Sequence, residues 1–298
     1  MKKTNHKLLL GAHMSVAGGF EKAIERGESI ECTAIQVFTK SNRQWAAKPI
    51  SLSEGELFCA TVRNSSIKAQ NILSHASYLI NIGSPESTTR QKSIYALVEE
   101  LVRCEILGIH YLVLHPGSHT GSGQTACLQH ITESLNAAFE LFKGKTMVLL
   151  ENMAGQGSVM CSDFEQLAHI RENINQKSRL GFCFDTCHAF AAGYDFRTEK
   201  SYESMWKEYD STVGLSNLKA IHINDSKTDL GSHVDRHDEI GKGKIGLHAF
   251  EYLFNDSRFY DIPKILETPN DDLADYAKNM ETIKSLISDE TKKKLGLE

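Results

Sequence analysis

Eight apolar, β-favouring runs separated by helical patterns constrain the fold of this chain more than any other feature. The runs are Leu8–His13, Ala34–Phe38, Asn71–His75, Tyr111–His115, Met147–Glu151, Leu180–Asp185, Leu218–His222 and Lys264–Glu267. Between several of them, apolar residues recur with the i, i+3, i+4 spacing of amphipathic helices. Eight strands alternating with helices predict an α/β fold, the parallel TIM (β/α)8 barrel, with a doubly wound open sheet as the competing architecture.

The helical patterns are clearest in three segments. Their apolar positions are Ile94, Leu97, Val98, Leu101 and Val102, then Leu128, Ile131, Leu135, Ala138 and Phe142, and finally Leu273, Tyr276, Ala277, Met280, Ile283 and Ile287. Ser53 with Glu56 and Ser162 with Glu165 have the spacing of capping boxes, which predicts helix starts at these pairs. No linker or repeat interrupts residues 1–298, so we expect a single domain with a fraying, solvated tail at about 289–298.

Composition narrows the class of protein. A formal net charge of −5 argues against a surface that is basic all over. Seven cysteines, without a CxxC pair and mostly in apolar segments, indicate reduced core thiols in a cytoplasmic protein. The Met1-Lys2-Lys3 start precedes an apolar run that is too short for a secretion signal. No stretch approaches the roughly 18 apolar residues of a membrane span, so we expect no membrane partner.

Polar residues end nearly all of the predicted strands. They are His13, His75, His115, Glu151, Asp185, His222 and Glu267. In a parallel barrel the carboxyl ends of all strands open at the same mouth, so these side chains should converge. Each one alone is compatible with a structural hydrogen-bonding role, but mixed imidazole and carboxylate groups are what divalent transition metals select. The set therefore predicts a metal site.

The stretch from Leu180 to Asp195 gives more detail. Asp185 and His188 are three residues apart, so one flat strand cannot present both on the same face. We therefore expect the chain to bend into a loop after the strand, and the two side chains to serve different neighbours. Asp235 and His237 are spaced i, i+2 and can bind one ion together in extended chain. A polar surface loop is the alternative there, and His188 as a third ligand favours the metal site.

Two further loops have groups suited to phosphate or nucleic acid, although either is compatible with an ordinary solvated loop. Gly241-Lys242-Gly243-Lys244 combines flexible backbone with positive charge. The segment from Thr39 to Trp45 follows the second strand and carries Arg43, Gln44 and Trp45, which can hydrogen-bond, wedge and stack.

Nine segments match the motifs of a known family in chain order. They are Gly11-Ala12-His13-Met14-Ser15 with Gly18-Gly19, Phe38-Thr39-Lys40 to Arg43-Gln44-Trp45, His75 with Tyr78-Leu79-Ile80-Asn81, His115–His119, Glu151–Gly157, Asp185–Phe190, His222–Ser226, Asp235–His237 and Leu266–Thr268. From Gly11 to about Pro269 the chain resembles endonuclease IV. The departures at Met14, Val16 and Ser74 touch no expected ligand.

This resemblance implies a zinc-dependent apurinic/apyrimidinic endonuclease, of the deoxyribonuclease IV type, on a TIM barrel with three zinc ions. It assigns His75, His115 and Glu151 to one ion and Glu151, Asp185, His222 and Glu267 to a second. His188, Asp235 and His237 would hold the third. The implied catalytic residues are Glu151 and Glu267, and the implied DNA-binding residues are Arg43, Gln44 and Tyr78.

The expected reaction is hydrolysis of the phosphodiester 5′ to an abasic site in duplex DNA, which leaves a 3′-hydroxyl and a 5′-deoxyribose phosphate. We expect a DNA-repair enzyme that works as a monomer and also removes 3′ blocking groups. Water activated by the zinc ions would attack phosphorus, and three Zn²⁺ would turn the formal charge of −5 into +1. A sugar isomerase or epimerase on a similar barrel, and a non-catalytic protein that binds damaged DNA, are the alternative functions.

Overall fold

A closed ring of eight parallel strands forms the centre of the molecule. The computed structural model describes residues 6–269 and 272–297, and the Met1-Lys2-Lys3 start lies outside them. Strands β1 to β8 span Leu10–His13, Ala34–Phe38, Ile72–His75, Tyr111–Leu114, Met147–Glu151, Leu180–Asp185, Leu218–Ile223 and Lys264–Leu266. Strand β1 closes the ring because it pairs with both β2 and β8. The prediction of a TIM barrel is therefore confirmed, and the open sheet is excluded.

Ten helices connect or flank the strands within the described residues. Helices α1 to α10 span Glu21–Ser29, Leu52–Asn64, Ser87–Leu107, Gln124–Leu141, Phe164–Asn173, Thr186–Ala192, Glu199–Thr212, Leu247–Asn255, Leu273–Leu286 and Asp289–Leu295. The three apolar patterns fall on α3, α4 and α9. Asp225–Ser226 and His237–Asp238 form a short antiparallel pair outside the barrel. None of the helices in the described ranges is long and apolar enough to cross a membrane.

Both predicted capping boxes are wrong. Helix α2 begins after Ser51, whose extended backbone lets its hydroxyl accept the Glu54 N–H while the Glu54 carboxylate accepts the Ser51 N–H. Helix α5 begins after Asp163, whose carboxylate accepts the Gln166 N–H. In both segments another polar residue with the same spacing lies one or two positions away. Its backbone conformation, which the sequence does not reveal, decides which residue caps the helix.

The expectation of a fraying tail is wrong for the part of it that the structure describes. Ser288 caps α10 by accepting the Thr291 N–H. Thr291 is buried and Leu295 is only 2% exposed, so one face of this short helix packs on the molecule. The run of lysines that follows Thr291 lies near the end of the helix, where positive charge is favourable.

The seven cysteines, all within the described ranges, are free thiols as expected, and all but Cys59 are buried.

Two layers fill the barrel interior. The lower layer consists of small and apolar side chains: Ala34, Leu73, Val113, Leu149, Cys183, Ala220 and Ile265. Two residues further along the same strands lies an upper layer of polar side chains: Gln36, His75, His115, Glu151, Asp185, His222 and Glu267. Alternate residues of a strand face the same side, so the polar layer stands directly on the apolar one. The apolar floor closes the barrel and directs the polar groups to the mouth.

Candidate metal centre at the barrel mouth

Glu151 lies at the centre of the polar layer. It ends β5 and is 0% exposed. Its Oε2 is 3.3 Å from Nε2 of His115 and 3.4 Å from Nε2 of His75. Its Oε1 is 3.0 Å from Nδ1 of His222. The two oxygens of this carboxylate therefore face two different groups of ligand-type side chains.

These two groups have the geometry of ion sites. The ligand atoms of His75, His115 and Glu151 all lie within 4.8 Å of one another, and so do those of Glu151, Asp185, His222 and Glu267. Within the second group, His222 Nδ1 is 3.1 Å from Oε2 of Glu267 and 3.9 Å from Oδ2 of Asp185. The sets that the resemblance implies for the first two ions are thus brought together, with Glu151 common to both.

A third group lies beside them, around Asp235. Its Oδ2 is 3.2 Å from Nε2 of His188, and its Oδ1 is 3.3 Å from Nε2 of His237. Two further combinations bring their ligand atoms within 4.8 Å of one another: Asp185 with His188 and His237, and Cys187 with Asp235 and His237. The loop expected after β6 is wrong, because α6 begins directly after Asp185, whose Oδ1 accepts the His188 N–H at 2.7 Å.

The imidazoles are oriented as metal ligands require. His75, His188 and His237 each direct Nδ1 to a main-chain carbonyl, of Ala76, Asn152 and Glu267 at 2.8, 3.0 and 3.1 Å respectively. Nε2 of His188 and of His237 is buried without a hydrogen bond among the described residues. A nitrogen freed in this way, facing carboxylates, is the arrangement found around bound metal ions. The donor set therefore fits divalent transition metals.

Three amides that the sequence did not single out support the ligands. Gln36 donates to Oε1 of Glu267 at 2.6 Å and accepts from Nε2 of His222 at 2.9 Å. Asn224 donates to Oδ2 of Asp185 at 2.7 Å and accepts the Glu267 N–H. Asn152 exchanges hydrogen bonds with the backbone of Asp185. Gln36 lies two residues after Ala34 on β2, so the period-2 rule applied to that strand would have found it.

The electrostatics of the centre favour positive charge. Burial raises the pKa of the Glu151 carboxyl, but His222 and His115 outweigh burial and hold it well below its usual range. Burial also raises the pKa of the Glu267 carboxyl, but His222 drives this pKa below its usual range. For Asp235, burial is outweighed by His188, and the pKa falls to about 2. Burial lowers the pKa of His188, yet Asp185 and Asp235 raise it well above its usual value. Ionised carboxylates in such a buried place require cations as partners.

The predicted DNA-binding residues lie on the rim of the mouth. Arg43 and Gln44 are exposed on the loop after β2. Tyr78 is 52% exposed, and its ring centroid is 5.3 Å from those of both His75 and His115. Trp45 points elsewhere: it packs against the core, and the Lys92 ammonium lies 4.1 Å from its ring centroid. The loops after β2 and β3 therefore expose Arg43, Gln44 and Tyr78 to solvent, while Trp45 packs against the core.

The Gly241–Lys244 loop is less suited to phosphate than its sequence indicates. The buried carboxylate of Asp225 accepts the N–H groups of Gly241 and Ile245, both at 2.9 Å. A Cβ on Gly243 would lie 2.4 Å from Oδ1 of Asp225, which explains the glycine there. The loop turns its amides inward, and Lys242 pairs with Glu239 at 2.7 Å. Its backbone is occupied by a structural contact.

Comparison with known proteins identifies first the fold family and then the relatives of this chain. The xylose isomerase-like TIM barrel family matches residues 24–286. "Probable endonuclease 4" of Chloroflexus aurantiacus is 47% identical over 279 residues, which cover 93% of this chain and 97% of that protein. Endonuclease IV from Thermus thermophilus superposes with a TM-score of 0.82 at 34% identity, and the alignment covers 93% of this chain and 98% of that one. This chain belongs to the endonuclease IV family.

The same barrel occurs in proteins of other function. A D-tagatose 3-epimerase-like protein superposes with a TM-score of 0.69 at 18% identity, over 93% of this chain and 96% of that one. At such identity the likeness concerns the fold alone. The side chains at the mouth must therefore decide between the possible functions.

Proposed function

We propose that this chain is a zinc-dependent DNA-repair endonuclease that hydrolyses the phosphodiester 5′ to abasic sites in duplex DNA. The observation that carries this proposal is the Glu151 carboxylate, whose two oxygens face two separate ligand groups, with the contacts of Asp235 to His188 and His237 beside them. A carboxylate shared in this way would hold two cations close together, an arrangement that nucleases with two-metal sites use for phosphodiester hydrolysis.

The ligand assignment follows the groups in the mouth. His75, His115 and Glu151 would hold one zinc ion, and Glu151, Asp185, His222 and Glu267 a second. His188, Asp235 and His237 would hold the third. When bound, zinc would supply Lewis-acid polarisation of the phosphate and activation of water near neutral pH.

The protein's own groups fix the geometry of the reaction. Glu151 sets the separation of the two ligand groups. The position of Glu267 in the second group is fixed by Gln36 at its side chain and by Asn224 at its backbone. Both carboxylates are held in the ionised form, since the pKa of each lies below its usual range. We assign catalytic roles to Glu151 and Glu267 because Glu151 belongs to both ligand groups and Glu267 belongs to the second.

Arg43, Gln44 and Tyr78 would contact the DNA. Their exposure on the rim supports this assignment, because a duplex laid over the mouth meets them before it reaches the ligands. An abasic nucleotide has little stacking to lose and leaves the helix at low cost, so residues that enter the stack select such sites. We further propose that the protein acts as a monomer and that the same centre removes 3′ blocking groups.

A sugar isomerase or epimerase is the second candidate, since the D-tagatose 3-epimerase-like protein has this fold. Such an enzyme requires neither the cluster of Asp235 with His188 and His237 nor an exposed Arg43-Gln44 rim. A protein that only binds damaged DNA has no use for Glu151 between two ligand groups. The site therefore favours the nuclease.

The test is to incubate the purified protein with a labelled duplex that carries one abasic analogue and to map the cut. Cleavage on the 5′ side with a free 3′-hydroxyl is the expected result. Binding without cleavage would favour the non-catalytic alternative. Ketose interconversion without cleavage would favour the sugar enzyme.

A further inference from the structure

The rim residues are carried by two separate loops, and both loops are fastened to the same buried side chain. Residues 39–48 follow β2 and carry Arg43 and Gln44, and residues 76–81 follow β3 and carry Tyr78. Glu100 of α3 is 1% exposed and lies beneath both. Its Oε2 accepts from the Thr39 hydroxyl at 2.8 Å, and its Oε1 accepts the Ser77 N–H at 3.2 Å.

Direct contacts join the two loops to each other and to α3. The Ser77 hydroxyl donates to the Asn42 carbonyl at 2.9 Å, one residue before Arg43. Arg103, one helical turn after Glu100, donates through Nε to the Thr39 carbonyl at 3.1 Å and through Nη1 to the Lys48 carbonyl at 2.8 Å. Helix α3 thus holds the start and the end of the first loop and the start of the second.

A buried carboxylate in this place is not explained by packing alone. Burial raises the pKa of Glu100, and Lys40, Thr39 and Ser77 oppose that rise. An apolar side chain of similar size would remove the desolvation cost but would leave the Thr39 hydroxyl and the Ser77 N–H without their acceptor. A carboxylate has two oxygens at a fixed separation, so it can fix two donors from different loops relative to each other.

We propose that Glu100 is a positioning residue for damage recognition, which keeps Arg43 and Gln44 in register with Tyr78. The inference rests on the proposed function, in which these three residues contact DNA. Glu100 belongs to none of the candidate ligand groups within the described residues, so its effect on the reaction passes through the two loops. Substituting it should weaken DNA recognition and leave metal binding unchanged.

Two substitutions separate hydrogen bonding from simple packing. Glu100→Leu keeps the approximate volume and removes both acceptors. Glu100→Gln retains one oxygen for the Ser77 N–H, and its NH2 can donate to Thr39 if that hydroxyl turns. We expect about a tenfold rise in KM for abasic duplex in Glu100→Leu, because the two loops that carry Arg43 and Tyr78 lose their common acceptor. We expect little change in kcat, and recovery in Glu100→Gln.

A second measurement monitors how firmly the first loop is held, in the absence of DNA. The protein has two tryptophans, and Trp206 is fully buried, so added acrylamide quenches the fluorescence of Trp45 selectively. Trp45 lies in the first loop, and its carbonyl accepts from Lys40 at 3.1 Å. Release of the loop in Glu100→Leu should increase the quenching, and zinc content should stay at the wild-type level.

Glu105→Leu is the matched control. Glu105 lies on the same helix and also accepts main-chain N–H groups, those of Lys145 and Thr146 at 2.9 and 3.3 Å, but these precede β5 at the opposite end of the barrel. Glu105→Leu should lower stability without changing KM or Trp45 quenching. If Glu100→Leu fails to fold, Thr39→Val replaces it, since valine keeps the shape of threonine. It removes the donor to Glu100, together with a 3.3 Å contact from Arg103 Nε to the same hydroxyl, while Arg103 keeps its bond to the Thr39 carbonyl.

The outcomes are distinct. Wild-type KM and quenching in the Glu100→Leu or Thr39→Val protein, alongside normal wild-type incision, would overturn this inference alone. Equal effects in Glu105→Leu would show that Glu100 only stabilises the fold, and this result would also overturn the inference. Absence of incision by the wild-type protein would overturn the proposed function, and the inference with it.

Discussion

The metal centre and the rim above it are built in different ways. Candidate ligands such as Glu151 and Asp185 are fully buried at strand ends, and neighbouring amides and carbonyls fix their orientation. Arg43 and Gln44 are exposed on a loop whose position depends on side chains of a helix that lies about 60 residues later in the chain. Under the proposed function, the chemistry therefore depends on strand register, and DNA recognition depends on helix-to-loop contacts. The two should respond to substitution independently.

The largest effect is expected at the residue shared by two ligand groups. Glu151→Gln keeps the shape of the side chain but removes the charge that faces both groups, and should reduce incision by on the order of 10³-fold or more, equivalent to several kcal/mol of lost electrostatic stabilisation. The steady-state rate of incision of abasic duplex measures this loss. Glu165→Gln, an exposed carboxylate on α5, is the control. Near-normal turnover in Glu151→Gln would remove this residue from the mechanism.

The next effect concerns metal retention. Incision by the wild-type protein should survive brief exposure to EDTA, because each proposed ion has at least three protein ligands. His115→Ala leaves one ion with only His75 and Glu151, and should make the enzyme sensitive to EDTA. His119→Ala serves as the control, since His119 follows in the same loop and accepts the Gly121 N–H. Equal EDTA resistance in the wild-type protein and both variants would show that His115 is not a metal ligand.

A smaller effect is expected at Gln36, which contacts two candidate ligands but belongs to no ligand group itself among the described residues. Gln36→Leu removes the acceptor for His222 and the donor to Glu267, and should accelerate zinc release to a chelator by roughly 10- to 100-fold. Gln36→Glu keeps the acceptor but opposes the Glu267 carboxylate with a second negative charge, so its zinc should also be released faster than in the wild type. Unchanged release in both variants would show that Gln36 does not orient the ligands.

The smallest effect is expected at the rim. Tyr78→Ala or Arg43→Ala should reduce the preference for abasic over intact duplex by about tenfold, the size expected from one lost stacking contact. Zinc content should not change, because neither side chain belongs to a ligand group. Competition between labelled abasic and intact duplexes measures the preference. Loss of zinc from either variant would contradict the separation of rim and centre.

The convergence of polar side chains at the mouth could be predicted from sequence because it follows strand periodicity. The runs that end at Glu151 and Asp185 match β5 and β6 residue for residue. Gln36 was missed because it is not a ligand type and precedes the end of its run. Helix α6 was missed because Asp185 ends a strand and caps a helix at once. The contacts of Glu100 were not predictable, since they join segments whose proximity depends on the closed barrel.

The most direct test of this account is elemental analysis of the purified protein, combined with an incision assay in the absence of added metal. The account predicts three zinc ions per chain and cleavage of abasic duplex without Mg²⁺. Magnesium sites usually retain several waters and few protein ligands, so a magnesium enzyme would stop when free metal is removed. A protein without transition metal that remains inert until Mg²⁺ is supplied would contradict the central claim.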